Sequence, residues 1–315
     1  MDSIASTRAA ALAAAMSNPV RRHGSAKRNK ASFRQALVNF NRLPKYLRDN
    51  EYIVGYYRPG HWSLRQIIGS LFRLHNETFN IWSHLLGFAF FVVLTVITVV
   101  CSERLAAEAD AQQVTRWPLY VFFGGAMTCL LASSVCHLFG CCSQHVASII
   151  WRFDYVGIAV LIVTSYFPPV YYGFLCLPFW QKFYLWSASL FGAATVVVSL
   201  MEVFQTIHFR PVRAVIFSGL GLFGVVPVVH QWAVHNHIPL FQEALIYDLL
   251  MGATYLIGAA VYATRIPERW KPGTFDLAFH SHNLFHLCVV IAAYIHYEAT
   301  IVFIRWRDAD QCPMA

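Results

Sequence analysis

Seven stretches of this chain are apolar over about the 20 residues that a helix needs to cross a bilayer. They run from Ile81 to Cys101, Trp117 to Phe139, Phe153 to Tyr172, Phe183 to Met201, Ala214 to Trp232, Ala244 to Thr264 and Leu277 to Phe303. Inside lipid no water can satisfy a bare peptide group, so only helices and closed barrels span it, and continuous runs of this length are helices. Between Trp117 and Thr264 only eight Asp, Glu, Lys or Arg residues occur. Charged residues make up 13% of the 315 residues, against about 25% in an ordinary soluble domain. The expected fold class is an all-α membrane protein, a seven-transmembrane helix bundle. Pro168 and Pro169 in "FPPVYYG" are expected to kink or end the third helix.

Between Trp62 and Leu74, the residues Leu64, Ile67, Ile68, Leu71 and Phe72 recur at helical spacing, which predicts a short amphipathic helix at the membrane interface ahead of the bundle. The chain divides into a basic, disordered tail over 1–40, a juxtamembrane segment over 41–76, the seven-helix domain over 77–305 and a short C-terminal tail over 306–315. Residues 1–80 carry 13 Lys or Arg against 4 Asp or Glu, so the remainder of a chain with net charge +8 sums to −1. Lys and Arg beside a span favour the cytoplasmic side. The N-terminus is therefore expected inside and, after seven crossings, the C-terminus outside or luminal, in the plasma membrane or an endomembrane. Cytoplasmic partners are expected at the basic tail, and nucleic acid is not. "MDSIASTRAAALAAAMSNPV" lacks a leucine-rich core behind a basic start, so the first span is expected to do the targeting. The eight cysteines lie mostly within or beside the spans and are expected to be thiols rather than a disulfide pattern. Cys141 and Cys142, at a membrane edge, are alternatively palmitoylation sites.

Consecutive spans alternate in direction, so the end of the second and the beginnings of the third and seventh lie at one face of the membrane. Each carries a polar anomaly: His137 in "SSVCHLF", Asp154 in "FDYVG", and His282 and His286 in "HSHNLFH". An Asp deep in a bilayer costs about 2.5–3.5 kcal/mol on insertion scales, so several polar groups gathered at one level are best explained by one ion. His282 and His286 are four apart, about 40° and 6 Å from one another on a helix, the spacing that histidines of zinc hydrolases use. With His137 they make three nitrogens, and three protein ligands with an open fourth position describe a catalytic zinc site. Asp154 is the candidate base. Ser133, one turn before His137, is a candidate supporting hydroxyl. For Asp154 the plain alternative is a helix cap or a pair with Arg152.

The other histidines are expected elsewhere. His296 lies fourteen residues beyond His282, about 21 Å along a helix, and belongs near the opposite face. His280 is expected to face the adjoining loop, His84 to be a neighbour rather than a ligand, and His230, His235 and His237 to lie at the surface. Asp248, at the level of His296, is expected to line a separate polar cavity or to meet the headgroups.

These motifs, with "HNETFNIWSHLLG" at 75–87, "FDYVGIAVLI" at 153–162, "GAAVYATRIPERWKPGTFD" at 258–276 and "HSHNLFHLCVVIAAYIHY" at 280–297, make the chain similar to the progestin and adipoQ receptor family. The resemblance is to the adiponectin-receptor branch and its plant heptahelical counterparts, with haemolysin-III-like proteins as relatives. It implies zinc on His137, His282 and His286, polar partners at Ser133 and Asp154, an inside N-terminus, hormone-linked signalling and a ceramidase-like lipid amidase activity. Nothing in the outer loops identifies a hormone, so any extracellular ligand is unknown.

Three functions are weighed. The first is a receptor that hydrolyses a ceramide-like lipid amide at zinc as part of signalling. The second is a non-enzymatic receptor with structural zinc. The third, a channel or transporter, is disfavoured because no internal repeat is visible and the polar cluster is confined to one level. A retinal protein is excluded, since no lysine for a Schiff base occurs between Leu277 and Phe303.

Overall fold

A computed structural model describes residues 37–60, 62–108, 113–310 and 312. The disorder expected of the basic tail concerns residues that, up to 36, lie outside this range. The described residues form ten α-helices and no β-strand: α1 (Leu64–Ser70), α2 (Thr78–Glu108), α3 (Trp117–Phe139), α4 (Gln144–Ser165), α5 (Phe167–Gly173), α6 (Pro178–Leu200), α7 (Arg210–Leu222), α8 (Val225–His235), α9 (Pro239–Thr264) and α10 (Ser281–Ala309). With α4–α5 and α7–α8 each counted as one span, seven segments are long and apolar enough to cross a membrane. The seventh runs past the expected end at Phe303 to Ala309.

The expected break in the third span is present. α4 stops at Ser165, Tyr166 keeps a helical backbone, and α5 restarts with prolines in its first turn. A proline is tolerated there because its missing N–H would have had no intrahelical partner. α1 is shorter than the sequence pattern and opens on a capping box between Ser63 and Gln66. It buries Ile67 and exposes Leu64 and Ile68, with Phe72 exposed just beyond it, as suits a helix in contact with lipid.

Lipid is as apolar as leucine, so helices in a membrane are held by close packing rather than by a hydrophobic drive. The second and seventh spans are the most buried, whereas the fifth and sixth expose most of their surface. Small residues set the closest approaches. A Cβ added at Gly125 of α3 would overlap the Thr164 side chain of α4, and one at Gly258 of α9 would lie 2.7 Å from the Cβ of Cys288 on α10. Phe91, Phe122, Phe123, Phe303 and Trp306 fill the buried core between the spans.

Taking the end of the bundle where α2 begins as proximal, the distal end carries a disulfide between Cys176, after α5, and Cys312, after α10. This corrects the expectation of thiols throughout. The partners are 136 residues apart, and only the folded bundle brings those two chain ends together. The other cysteines of the described residues are free.

At the proximal end the juxtamembrane segment clasps the α9–α10 connection. Asp276 accepts the backbone N–H groups of Val54 (2.9 Å) and Gly55 (2.7 Å), and Asn50 donates to Glu268 (3.0 Å). Arg265, in the left-handed conformation that ends α9, pairs with Glu51.

Candidate metal centre

His137 lies in the last turn of α3, whose final carbonyls have no partner within the helix. The buried Arg58 supplies one. Its guanidinium donates to the carbonyls of His137 (2.6 Å) and Leu138 (2.9 Å) and to Ser70 Oγ (3.0 Å). His282 and His286 occupy the first turns of α10. The start of that helix is fixed by Glu268, which accepts the Ser281 N–H (2.7 Å) and the Ser281 hydroxyl. A carboxylate there also complements the positive end of the helix dipole.

So positioned, the three imidazoles point their Nε2 atoms at one another. His282 Nε2 lies 3.0 Å from that of His137 and 3.1 Å from that of His286. His137, His282 and His286 form the group of histidine, cysteine or acidic side chains, among the described residues, close enough to share one metal ion. The far side of two rings tests whether an ion fits. His137 Nδ1 is 2.7 Å from Glu77 Oε2, and His286 Nδ1 is 3.2 Å from the Asn80 carbonyl and 3.3 Å from Ser83 Oγ. An acceptor at Nδ1 fixes the proton there and turns the Nε2 lone pair inward, the arrangement found behind metal-bound histidines. Three neutral imidazoles with no bridging carboxylate suit zinc better than a hard cation such as calcium. Glu77 is itself held by Asn80 Nδ2 (2.7 Å), and Asn80 receives Asn283 Nδ2 of α10 (2.6 Å).

Ser133 and Asp154 are buried beside the triad. Both line the cavity that the triad lines. The contact at Gly125 brings α3 against α4 and so sets this pair together. Arg152 turns away to Glu202 at 3.3 Å, so the alternative pairing of Asp154 with its neighbour does not occur.

Other expectations divide. His84 is a neighbour, stacked on His286 with ring centroids 3.6 Å apart, and stands outside the triad. His296 is buried at the middle of α10 rather than near the opposite face, because that helix runs on to Ala309. His280 is buried rather than turned to the loop, and it lines the cavity of the triad. Of the three histidines expected at the surface only His237 is exposed. His230 meets the Tyr184 hydroxyl at 3.0 Å, and His235 Nε2 meets the Gly173 carbonyl at 3.0 Å, tying α8 to the third and fourth spans. Asp248 lines the cavity of the triad instead of a separate one.

That cavity has a volume of about 1060 Å³. His137, His282, Ser133 and Asp154 line it together with polar residues of the juxtamembrane segment and the start of α7, among them Asp49, Arg210 and Arg213, and mainly apolar residues of α4, α7, α8 and α9 line the remainder. Leu249 and Leu256 of α9 and Val225 and Val229 of α8 both line it and are exposed. The cavity therefore opens sideways between the fifth and sixth spans, toward lipid.

Residues 72–297 match the haemolysin-III-related family. The chain belongs to this family. Heptahelical transmembrane protein 4 of Arabidopsis thaliana is 42% identical over 88% of this chain and 90% of its own length. Heptahelical transmembrane protein ADIPOR3 of Oryza sativa subsp. japonica is 38% identical over 89% of this chain and 93% of its own. The adiponectin receptor protein of Drosophila melanogaster is 38% identical over 86% of this chain and 60% of its own. This haemolysin-III-related protein is thus an integral, multi-pass membrane protein of the adiponectin-receptor-like kind, within the progestin and adipoQ receptor grouping that its motifs resemble.

Sequence reasoning passed over Glu77, Asn80, Arg58 and Glu268. Glu77 carried a usable signal, an acid at the threshold of an apolar span on the same face as His137. Arg58 and Glu268 sit in connecting segments whose burial only the folded chain reveals.

Proposed function

We propose that this protein is a receptor-like hydrolase of lipid amides, ceramide-like in class, with zinc held by His137, His282 and His286. The observation that carries the reading is the convergence of three Nε2 atoms beside Ser133 and Asp154, at the polar end of an apolar cavity open to lipid. Zinc bound there supplies a Lewis acid for the amide carbonyl and brings the pKa of a water to about 7. Asp154, with Ser133 in the same cavity, accepts the proton of the attacking water and delivers it to the leaving amine. Glu77 and the Asn80 carbonyl hold the histidine rings in register. The apolar walls take the acyl chain and exclude water. The surplus of Lys and Arg in the first 80 residues supports a cytoplasmic proximal end, and with it a cytoplasmic-side site, where partners would meet the basic tail.

The deciding experiment measures fatty acid release from ceramide by purified wild type, His282→Ala and Asp154→Asn, with and without a zinc chelator. Release should require zinc and vanish in both variants, while Asp154→Asn retains the metal. Equal rates in all three eliminate the enzyme.

One observation favours a second reading. The triad takes one ligand from α3 and two from α10, so a metal there would also staple the second span to the seventh. A receptor with structural zinc would show zinc-dependent thermal stability without turnover on a broad lipid panel.

A further inference from the structure

The cavity has a second polar end. Asp248 of α9 lines it, with 9% of its surface exposed, while its Oδ1, itself shut off from the cavity, has no hydrogen-bond partner among the described residues. Behind it stands His296 of α10, fully buried, with Nδ1 3.7 Å from that oxygen. Neither ring nitrogen of His296 has a hydrogen-bond partner among the described residues. At 3.7 Å the imidazole attracts the carboxylate without satisfying it. A carboxylate in the apolar part of a membrane protein is costly and marks a function by default.

The position of this pair relative to the triad is fixed twice. Tyr262 of α9 packs on the His282 ring, centroids 5.6 Å apart, and Asp248 lies fourteen residues before it. His296 lies fourteen residues after His282 on α10. Each count gives about 21 Å along a helix, and the two spans are the most extensively packed pair in the bundle. Asp248, Tyr255 and Tyr262 recur every seven residues, so they share a face of α9, and all three line the cavity. Around Asp248 that wall is Leu249, Met251 and Gly252. About 21 Å exceeds half of a bilayer's hydrocarbon core of about 30 Å, so only an extended long-chain group reaches from the triad to Asp248.

We propose that Asp248, positioned by His296, binds a hydroxyl group at the remote end of the lipid's acyl chain, so that the protein selects ω-hydroxylated long-chain acyl groups. The donor must pass an apolar cavity, and a neutral hydroxyl does so at far lower cost than an ammonium. On arrival it donates to the part of the Asp248 carboxylate that stays exposed. The direction of the chain, carboxyl end at the triad, rests on the proposed function.

The test is competition binding to the zinc-loaded full chain in nanodiscs, in which palmitic and ω-hydroxypalmitic acids displace a fluorescent fatty acid. The hydroxy acid should bind wild type about tenfold more tightly than palmitic acid, as a hydrogen bond to a charged group allows. Asp248→Val should bind the two acids equally and hold palmitic acid as wild type does. Equal affinity of wild type for the two acids overturns the proposal, and this comparison decides the matter if the variant does not fold. A preference that survives in Asp248→Val overturns it as well, as does tighter binding of ω-aminopalmitic acid than of the hydroxy acid. Because the assay reads binding of free acids, a protein that shows the preference but releases nothing from lipid amides would refute the hydrolase and leave this site standing.

Discussion

His137 Nδ1 lies 2.7 Å from Glu77 Oε2, which joins the start of the first span to the end of the second through a group with no place of its own in the triad. The contact fixes which ring nitrogen faces the other two imidazoles. Glu77→Gln keeps the shape but removes the charge and weakens the acceptor. Losing such a partner costs about 10–100-fold in metal affinity. Chelator competition on the purified variant measures it, and zinc affinity equal to wild type would show that the contact does not orient the ligand.

Zinc binding that needs the folded triad stabilises the fold by mass action, on the order of 4 kcal/mol at a thousandfold excess over Kd. A chelator should therefore lower the thermal midpoint of wild type and leave that of His137→Ala unchanged. A chelator effect of the same size in both would place the ion elsewhere.

Arg58 holds two carbonyls at the end of α3 and the Ser70 hydroxyl. Arg58→Met leaves these acceptors buried without a donor, at about 1–3 kcal/mol each. Thermal unfolding should fall well below wild type, and zinc affinity should fall with it because His137 sits on the frayed turn. An unchanged midpoint would mean that water replaces the guanidinium.

His75, in the segment before the first span, accepts the Glu77 N–H on Nδ1 at 3.1 Å. Burial, reinforced by the charge of Arg58, holds its pKa down at about 3. The unfolded chain takes up this proton near pH 6.5, whereas the folded chain resists it. The stabilisation is whole above pH 6.5 and is lost as pH falls through the window toward 3, on the order of a few kcal/mol. Unfolding measured across this range should slope less in His75→Gln than in wild type. Parallel slopes would refute the assignment.

Gly125 lets α3 approach α4 closely enough to set Ser133 against Asp154. Gly125→Val adds bulk where the Thr164 side chain lies, and overpacking of this kind costs about 1–3 kcal/mol. Under the proposed function, amide hydrolysis should fall more than zinc affinity does, since the proposed ligands sit on α3 and α10 while the proposed base sits on α4. Loss of zinc in proportion to activity would show that the whole site had moved.

The sequence alone determined that the chain crosses a membrane seven times, because uninterrupted apolar runs leave the backbone no option but to bond within its own helix. It also determined which polar residues share a level, since alternating spans and 1.5 Å per residue convert numbering into depth. His137, His282, His286, Ser133 and Asp154 were legible for that reason, and His296 was correctly set apart from the triad. Depth is one coordinate of three. Rotation of each helix and the separation of its neighbours depend on how side chains from distant segments interlock, and only the tertiary structure decided them. It turned Glu77 onto His137, sealed Arg58 and Glu268 under the clasp, joined Cys176 to Cys312, and merged the expected separate cavity of Asp248 with that of the triad. Such contacts bring together residues up to 222 positions apart, and no local pattern records which of them will meet.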